Sequence, residues 1–185
     1  MLSDNTFIIP VKGESERVPS KNLREFANGQ SLLELKIEQL LAVPGVNKSR
    51  VLVSSDSDEA LEVGRKFGIH ACPRDPRLCE SQTPMSSVYE ALASLCSTRF
   101  ITWVNVTNPL FTSHYLHEAI DLAAEAFDND PTVDSALTAV ALDEYVFYQG
   151  KPVNFERVPW ARSQDLMGLS ALSFALSCVK REVLE

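Results

Sequence analysis

Short apolar runs alternate with amphipathic helical stretches along most of this chain, and that alternation constrains the fold more than any other feature. Runs at 6–11, 50–54, 69–72, 100–106, 134–142 and 171–179 read as strands, most of them buried. Between them lie stretches with helical spacing. Ser31-Leu-Leu-Glu34 has the form of a capping box, in which the Ser hydroxyl bonds the Glu34 amide and the Glu carboxylate reaches back. Leu33, Ile37, Leu40 and Leu41 then share a face. A second helix is expected over 58–67, with Ala60, Val63 and Phe67 inward and Gly68 just past its end. Two more are expected, over 84–96 and from Ser113, as cap, to about 127. A last helix starts at 180 and stops short.

Strands separated by helices predict parallel βαβ units with right-handed crossovers, hence a Rossmann-like α/β fold with a mostly parallel sheet. In such sheets ligands bind outside the carboxyl ends of the strands, which points to the loops after Val11, Ser54, Cys72 and Val106. A chain of 185 residues is expected to form one domain, 1–185. The segment 144–160 is rich in aromatics (Tyr145, Phe147, Tyr148, Phe155, Trp160) around a hairpin turn at Gln149-Gly150-Lys151. A lone hairpin needs a surface to cover it, so this segment is read as a homodimerisation arm, with packing on its own domain as the alternative.

The net charge of −8 argues against a general nucleic-acid binder, which would carry a basic surface. No apolar run is long enough to span a membrane, and the N-terminus lacks a basic signal-peptide region, so a cytoplasmic protein without membrane association is expected. Cys72, Cys79, Cys96 and Cys178 contain no close CxxC pair, so a zinc site is not expected and each cysteine reads as a small hydrophobe with a free thiol. His114 and His117 share a helix face without a third ligand nearby, and read as surface residues. Trp103 and Trp160 read as core or interface residues, and there is no GxSxG to support a hydrolase triad.

The segment 12–22, after the first strand, carries the most chemical information. Lys12, Arg17 and Lys21 cluster there in an otherwise acidic chain, with Gly13 for close backbone approach and Ser15 as a hydroxyl donor. Cations and amides converging on a strand-end loop suit a phosphate chain, although neither the Walker A pattern nor GxGxxG is present. The other reading is a solvated loop whose Glu14 and Glu16 offset its charge.

Ile9-Pro10-Val-Lys12-Gly13-Glu-Ser15-Glu-Arg17-Val-Pro19-Ser-Lys21-Asn22-Leu23 resembles the nucleotide-binding signature of the acylneuraminate cytidylyltransferases, the CMP-sialic acid synthetases. Val53-Ser-Ser-Asp56 is similar to that family's V-S-T-D, the stretch 68–76 to its segment ending R-P, and Asn105-Val-Thr107-Asn108-Pro109-Leu110 to its Q-P-T-S-P-L. The resemblance runs from about Phe7 to the end of the chain. It implies a three-layer α/β nucleotidyltransferase fold with a small β-rich dimerisation arm. The implied activity is transfer of CMP from CTP to a nine-carbon 2-keto sugar acid (N-acylneuraminate or a related nonulosonic acid), with pyrophosphate released and Mg²⁺ required. By position, Lys12 and Lys21 match the triphosphate cations, and Gly13, Ser15, Arg17 and Asn22 belong to the nucleotide cradle. Arg74 and Ser81 lie where the family contacts the nucleotide, Asn105 where it places a Gln near the sugar, and Arg162 and Gln164 in the sugar-acid region.

The departures from the family pattern are specific. Glu14 and Glu16 replace small or basic residues, Asn105 is one methylene shorter than Gln, and Phe111 stands where a basic residue is frequent. Kdo-activating relatives carry an Asp on metal where this chain has Thr107. The family's D-[IV]-D metal segment does not follow Val179 before the chain ends at Glu185, so the C-terminal part of the family domain is expected to be absent and no metal ligand is assigned. Asp56-Ser-Asp58 has that spacing but reads as a helix N-cap. An alternative function follows: a catalytically impaired CTP-binding module that lacks the metal carboxylates.

Overall fold

The computed structural model describes residues 2–14 and 18–184. Ten strands are described: β1 (Asn5–Val11), β2 (Glu25–Ala27), β3 (Gln30–Ser31), β4 (Val51–Ser55), β5 (His70–Pro73), β6 (Phe100–Val104), β7 (Ser135–Leu142), β8 (Phe147–Tyr148), β9 (Lys151–Pro152) and β10 (Leu169–Lys180). Four α-helices accompany them: α1 (Leu32–Leu41), α2 (Asp58–Phe67), α3 (Met85–Ala93) and α4 (Ser113–Asn129). The main sheet has the order β5-β4-β1-β6-β10-β7. β1 pairs in parallel with β4 and β6, and β4 with β5, while β10 runs antiparallel to β6. The fold is therefore a mostly parallel α/β sheet, as the alternation of elements predicts.

Residue alternation on the strands builds the layers. Phe7, Ile9 and Val11 of β1 and Val51 and Val53 of β4 face a core closed by Leu33, Ile37 and Leu40 of α1 and Leu116, Ile120 and Phe127 of α4. Ile8, Leu52, Ile101 and Trp103 point the other way, onto Val88, Leu92 and Ala93 of α3 and Cys96. Asn5 and Thr102, buried between the central strands, satisfy one another through Asn5 Nδ2 to Thr102 Oγ1 at 2.8 Å.

Local chemistry sets the helix ends. The capping box forms as read, with Ser31 Oγ accepting from Glu34 N at 3.2 Å and Ser31 N donating to Glu34 Oε2 at 2.8 Å. Gly68 closes α2 with φ at +72°, which favours glycine. Ser57, rather than the flanking aspartates, caps the start of α2 through an accepted bond from Ala60 N. Several boundaries differ from the sequence reading. α3 ends at Ala93 because the next turn tightens, with Leu95 and Cys96 amides bonding the carbonyls three residues back. Thr112 caps α4 and Ser113 is its first residue. The stretch 181–183 is a 3₁₀ turn, and the β2–β3 hairpin has no apolar pattern to announce it.

The chain divides into two compact units, 1–137 with 175–185, and 138–174. The second contains the β8–β9 hairpin, turning at Gln149 and Gly150, both at positive φ. Within it Phe155 is buried among Tyr145, Phe147 and Trp160, with ring centroids 5.0–5.2 Å away. Asn154 is buried and bonded at both ends of its amide, accepting from Val146 N and donating to Glu144 O, both at 2.9 Å. Trp160 touches Phe155 yet stays more than half exposed, as do Tyr148 and Met167, so it is no core residue within its unit.

Candidate functional site

A cavity of about 880 Å³ opens beyond the carboxyl ends of β1, β4 and β6, within the first unit. Its size suits a small-molecule ligand, and its place is the one expected of an open parallel sheet. β1 ends at Val11 and delivers Lys12 into the lining. Lys21 and Asn22 follow in a tight turn, in which Leu23 N and Arg24 N donate to Ser20 O at 3.0 and 2.9 Å. α1 holds the far end of that loop, because Leu33 N donates to Asn22 O at 3.1 Å. Asn22 lines the cavity, and its Oδ1, shielded from solvent, meets no hydrogen-bond partner among the described residues.

Asp56, directly after β4, organises the loop from the other side. Its Oδ1 accepts from Gly13 N at 2.9 Å. Partial burial pushes the Asp56 carboxyl up, but the Gly13 amide, its own amide, the Cys79 thiol and Arg74 together hold it below the usual carboxylate value. A Cβ on Gly13 would lie 2.8 Å from that of Ser57, so this backbone approach requires glycine. Arg74 is buried and ties three segments together. Its amide donates to Ser55 O at 2.8 Å, Nη2 donates to Val11 O at 2.8 Å, and Nε contacts Cys79 Sγ at 2.9 Å. Burial raises the Cys79 thiol, which bonds polar neighbours in the cavity wall rather than filling apolar space.

Lys12, Lys21, Asn22, Ser81 and Asn105 thus come together on one cavity, and Gly13 stands beside it on Asp56. Ser15 and Arg17, with Glu16, lie outside the described residues. Glu14 faces the cavity together with Asp56 and Glu80, so three carboxylates accompany two lysines in the described lining. Arg162 and Gln164 lie in the second unit, where Arg162 Nε pairs with Asp165 Oδ2 at 2.6 Å. His117 pairs with Asp121 at 3.3 Å on the exposed face of α4.

Among the described residues no three His, Cys, Asp or Glu side chains converge on a point that could hold a metal ion. Asp56, the carboxylate at the sheet end, is already committed to Gly13. The described residues by themselves do not fit a resident divalent ion.

Sequence reasoning missed Lys36. It is a buried lysine on α1 whose Nζ donates to Asn108 O at 2.9 Å and Phe111 O at 2.8 Å. Its one sequence signal is its position between Leu33 and Ile37, within the apolar half of the helix, a place that a surface lysine can also take.

A cavity beyond the carboxyl ends of an open, mostly parallel sheet, with two lysines in its lining, marks a small-molecule-binding α/β protein in general terms. Comparison with known proteins makes this specific. A family model described as Cytidylyltransferase matches residues 6–165, and the chain belongs to that family. It is similar to a pseudaminic acid cytidylyltransferase of Campylobacter jejuni, 29% identical over 123 residues, which are 63% of this chain and 52% of the relative. It is also similar to an N-acylneuraminate cytidylyltransferase of Streptococcus agalactiae, 27% identical over 62% of this chain and 28% of the relative. The chain spans about half the length of the Campylobacter relative. A solved CMP:2-keto-3-deoxy-manno-octonic acid synthetase complexed with CTP shares the fold at a TM-score of 0.70 and 17% identity, covering 98% of this chain and 76% of that one. The bifunctional IspDF of Campylobacter jejuni shares it at 0.60 and 15% identity, covering 97% and 42%. No helix among the described residues is long and apolar enough to cross a membrane.

Proposed function

We propose that this protein transfers CMP from CTP to a nine-carbon 2-keto sugar acid, an N-acylneuraminate or related nonulosonic acid, and releases pyrophosphate. The observation that carries this reading is the convergence of Lys12, Lys21, Asn22, Ser81 and Asn105 on one cavity at the carboxyl ends of β1, β4 and β6. Membership of the cytidylyltransferase family and similarity to two sugar-acid cytidylyltransferases support it.

Nucleotidyl transfer asks the protein for positioning and charge neutralisation more than for covalent chemistry. Lys12 and Lys21 hold the triphosphate and offset the charge that builds on the departing pyrophosphate. Asn22, in the same cavity wall, borders the nucleoside. Asn105 and Thr107, neutral and polar, face the hydroxyl-rich sugar. The anomeric oxygen of the sugar acid forms the new bond to the α-phosphorus. The bond from that phosphorus to the bridging oxygen breaks, and the hydroxyl proton leaves to solvent. Any Mg²⁺ would arrive with the triphosphate, because the described residues offer it no resident site.

The protein acts in the cytoplasm as a homodimer, joined through the aromatic segment 144–160 of the second unit. Exposed Tyr148 and Trp160 support that arrangement. Calorimetry with CTP, ATP, GTP and UTP tests the nucleotide half of the proposal: selective binding of CTP is expected, and binding of none of the four would remove it.

A further inference from the structure

Among the described residues, Lys36 is the one lysine with a fully buried side chain, and the transfer chemistry does not use it. Its surroundings show what it does. The Asn108–Phe111 stretch forms a turn, with Phe111 N donating to Asn108 O at 3.1 Å. The carbonyls of this turn are directed toward α1. Lys36 Nζ bonds those of Asn108 and Phe111, and Gln39 Nε2 bonds that of Pro109 at 2.8 Å. Burial holds the ammonium down at a pKa of about 8. Either protonation state retains the two donors that these carbonyls require.

The turn lies next to the cavity wall. Asn105, Val106 and Thr107 line the cavity on the β6 side and run directly into it. At the other end of this wall, Asn105 N donates to Ala175 O at 3.2 Å. The wall is therefore a short span pinned at Asn105 by β10 and at 108–111 by α1. α1 also holds the phosphate loop, through Leu33 N and Asn22 O. One helix thus fixes both the lysine loop and the neutral polar wall, and Lys36 and Gln39 together are its hold on the wall.

We propose that Lys36 is a positioning residue for the second substrate: it fixes the 105–111 segment so that Asn105 and Thr107 present their polar groups to the sugar acid while the nucleotide lies on the lysine loop. The inference rests on the cytidylyl-transfer reading above. A tethered wall matters because small misplacements of a reacting group cost large factors in rate. The phosphate loop has its own anchors in Asp56 and Leu33, so losing Lys36 should leave nucleotide binding alone.

The test compares Lys36→Met, which keeps the stem and removes the donors, with Ile37→Val, which loosens α1 without touching the turn. Both are assayed with the parent protein well below their melting temperatures. In Lys36→Met the sugar-acid kcat/KM should fall about tenfold or more, while the CTP Kd stays within about twofold of the parent. Amide hydrogen exchange over 105–112 should accelerate in Lys36→Met and not in Ile37→Val. Unchanged exchange over 105–112, or unchanged sugar-acid kinetics despite faster exchange, would overturn the positioning role. Equal losses in Ile37→Val, or an equal loss of CTP affinity in Lys36→Met, would overturn it too, marking Lys36 as a purely structural residue. Absence of turnover in the parent itself removes the cytidylyl-transfer reading, and this inference with it. An active parent with an unaffected Lys36→Met removes only the inference.

Discussion

Gly13 donates its backbone N–H to Asp56 Oδ1 at 2.9 Å, and this bond joins the end of β1 to the end of β4 at the mouth of the cavity. The carboxylate thereby satisfies the Gly13 amide. Asp56 is a loop anchor, and its charge also repels an approaching anion. Asp56→Asn keeps an acceptor at this place and removes the charge, so it should preserve CTP affinity or improve it. Asp56→Ala frees the loop and should weaken CTP binding about tenfold, the worth of one charge-assisted hydrogen bond. Calorimetry on the two variants separates anchoring from repulsion. The pH sense is fixed as well. The Asp56 carboxyl sits below its ordinary value in the folded protein, so its stabilising contribution is present above about pH 4 and is lost as pH falls through the folded value. Denaturation of the parent and of Asp56→Ala should therefore converge in acid.

The close approach of Gly13 to Ser57 gives a paired prediction. Gly13→Ala places a methyl 2.8 Å from the Ser57 Cβ and forces the loop or the α2 cap to move. An overpacking cost of about 1–3 kcal/mol is expected. Adding Ser57→Gly removes the clash at the expense of a few tenths of a kcal/mol for the cap. Urea denaturation should show the double variant more stable than Gly13→Ala alone.

Lys21 lines the cavity from a half-buried position and takes no part in the core. Lys21→Ala should lower CTP affinity about tenfold or more and leave the melting temperature within a degree or two. Glu14→Gln, which removes a carboxylate from the same cavity, should act in the opposite direction on CTP affinity. Fluorescence or calorimetric titration checks both.

Lys36 supplies a stability signature in alkali. Its folded-state pKa of about 8 lies below the ordinary lysine value, so the unfolded chain binds the extra proton between roughly pH 8 and 10.5. Stability should rise with pH through that window for the parent relative to Lys36→Met, and the difference should be flat below it. Guanidinium denaturation at pH 7.5 and 9.5 measures this.

The fold was legible in the sequence because its signals are local. The apolar run of β1, the capping box at Ser31 and Gly68 after α2 each specify structure within a few residues. Lys12, Lys21 and Asn22 were legible for the same reason, since they share one loop. What escaped depends on residues distant in the chain. Asp56 read as a helix cap because its partner, Gly13, lies 43 residues away. The bonds from Lys36 reach 72 and 75 residues along the chain, and periodicity could not distinguish that lysine from a surface residue straying onto an apolar face. The Arg74 side chain is spent on Val11 O and Cys79, a packing arrangement that no motif spacing encodes.

The central claim is cytidylyl transfer to a sugar acid. Its most direct test is to incubate the protein with CTP, Mg²⁺ and a panel of nonulosonic acids, and to look for the CMP-sugar by mass spectrometry. The account predicts a CMP-linked product, with one pyrophosphate released per product, for at least one acid. It also predicts loss of that product in Lys21→Ala. Binding of CTP with no product from any acid would contradict it.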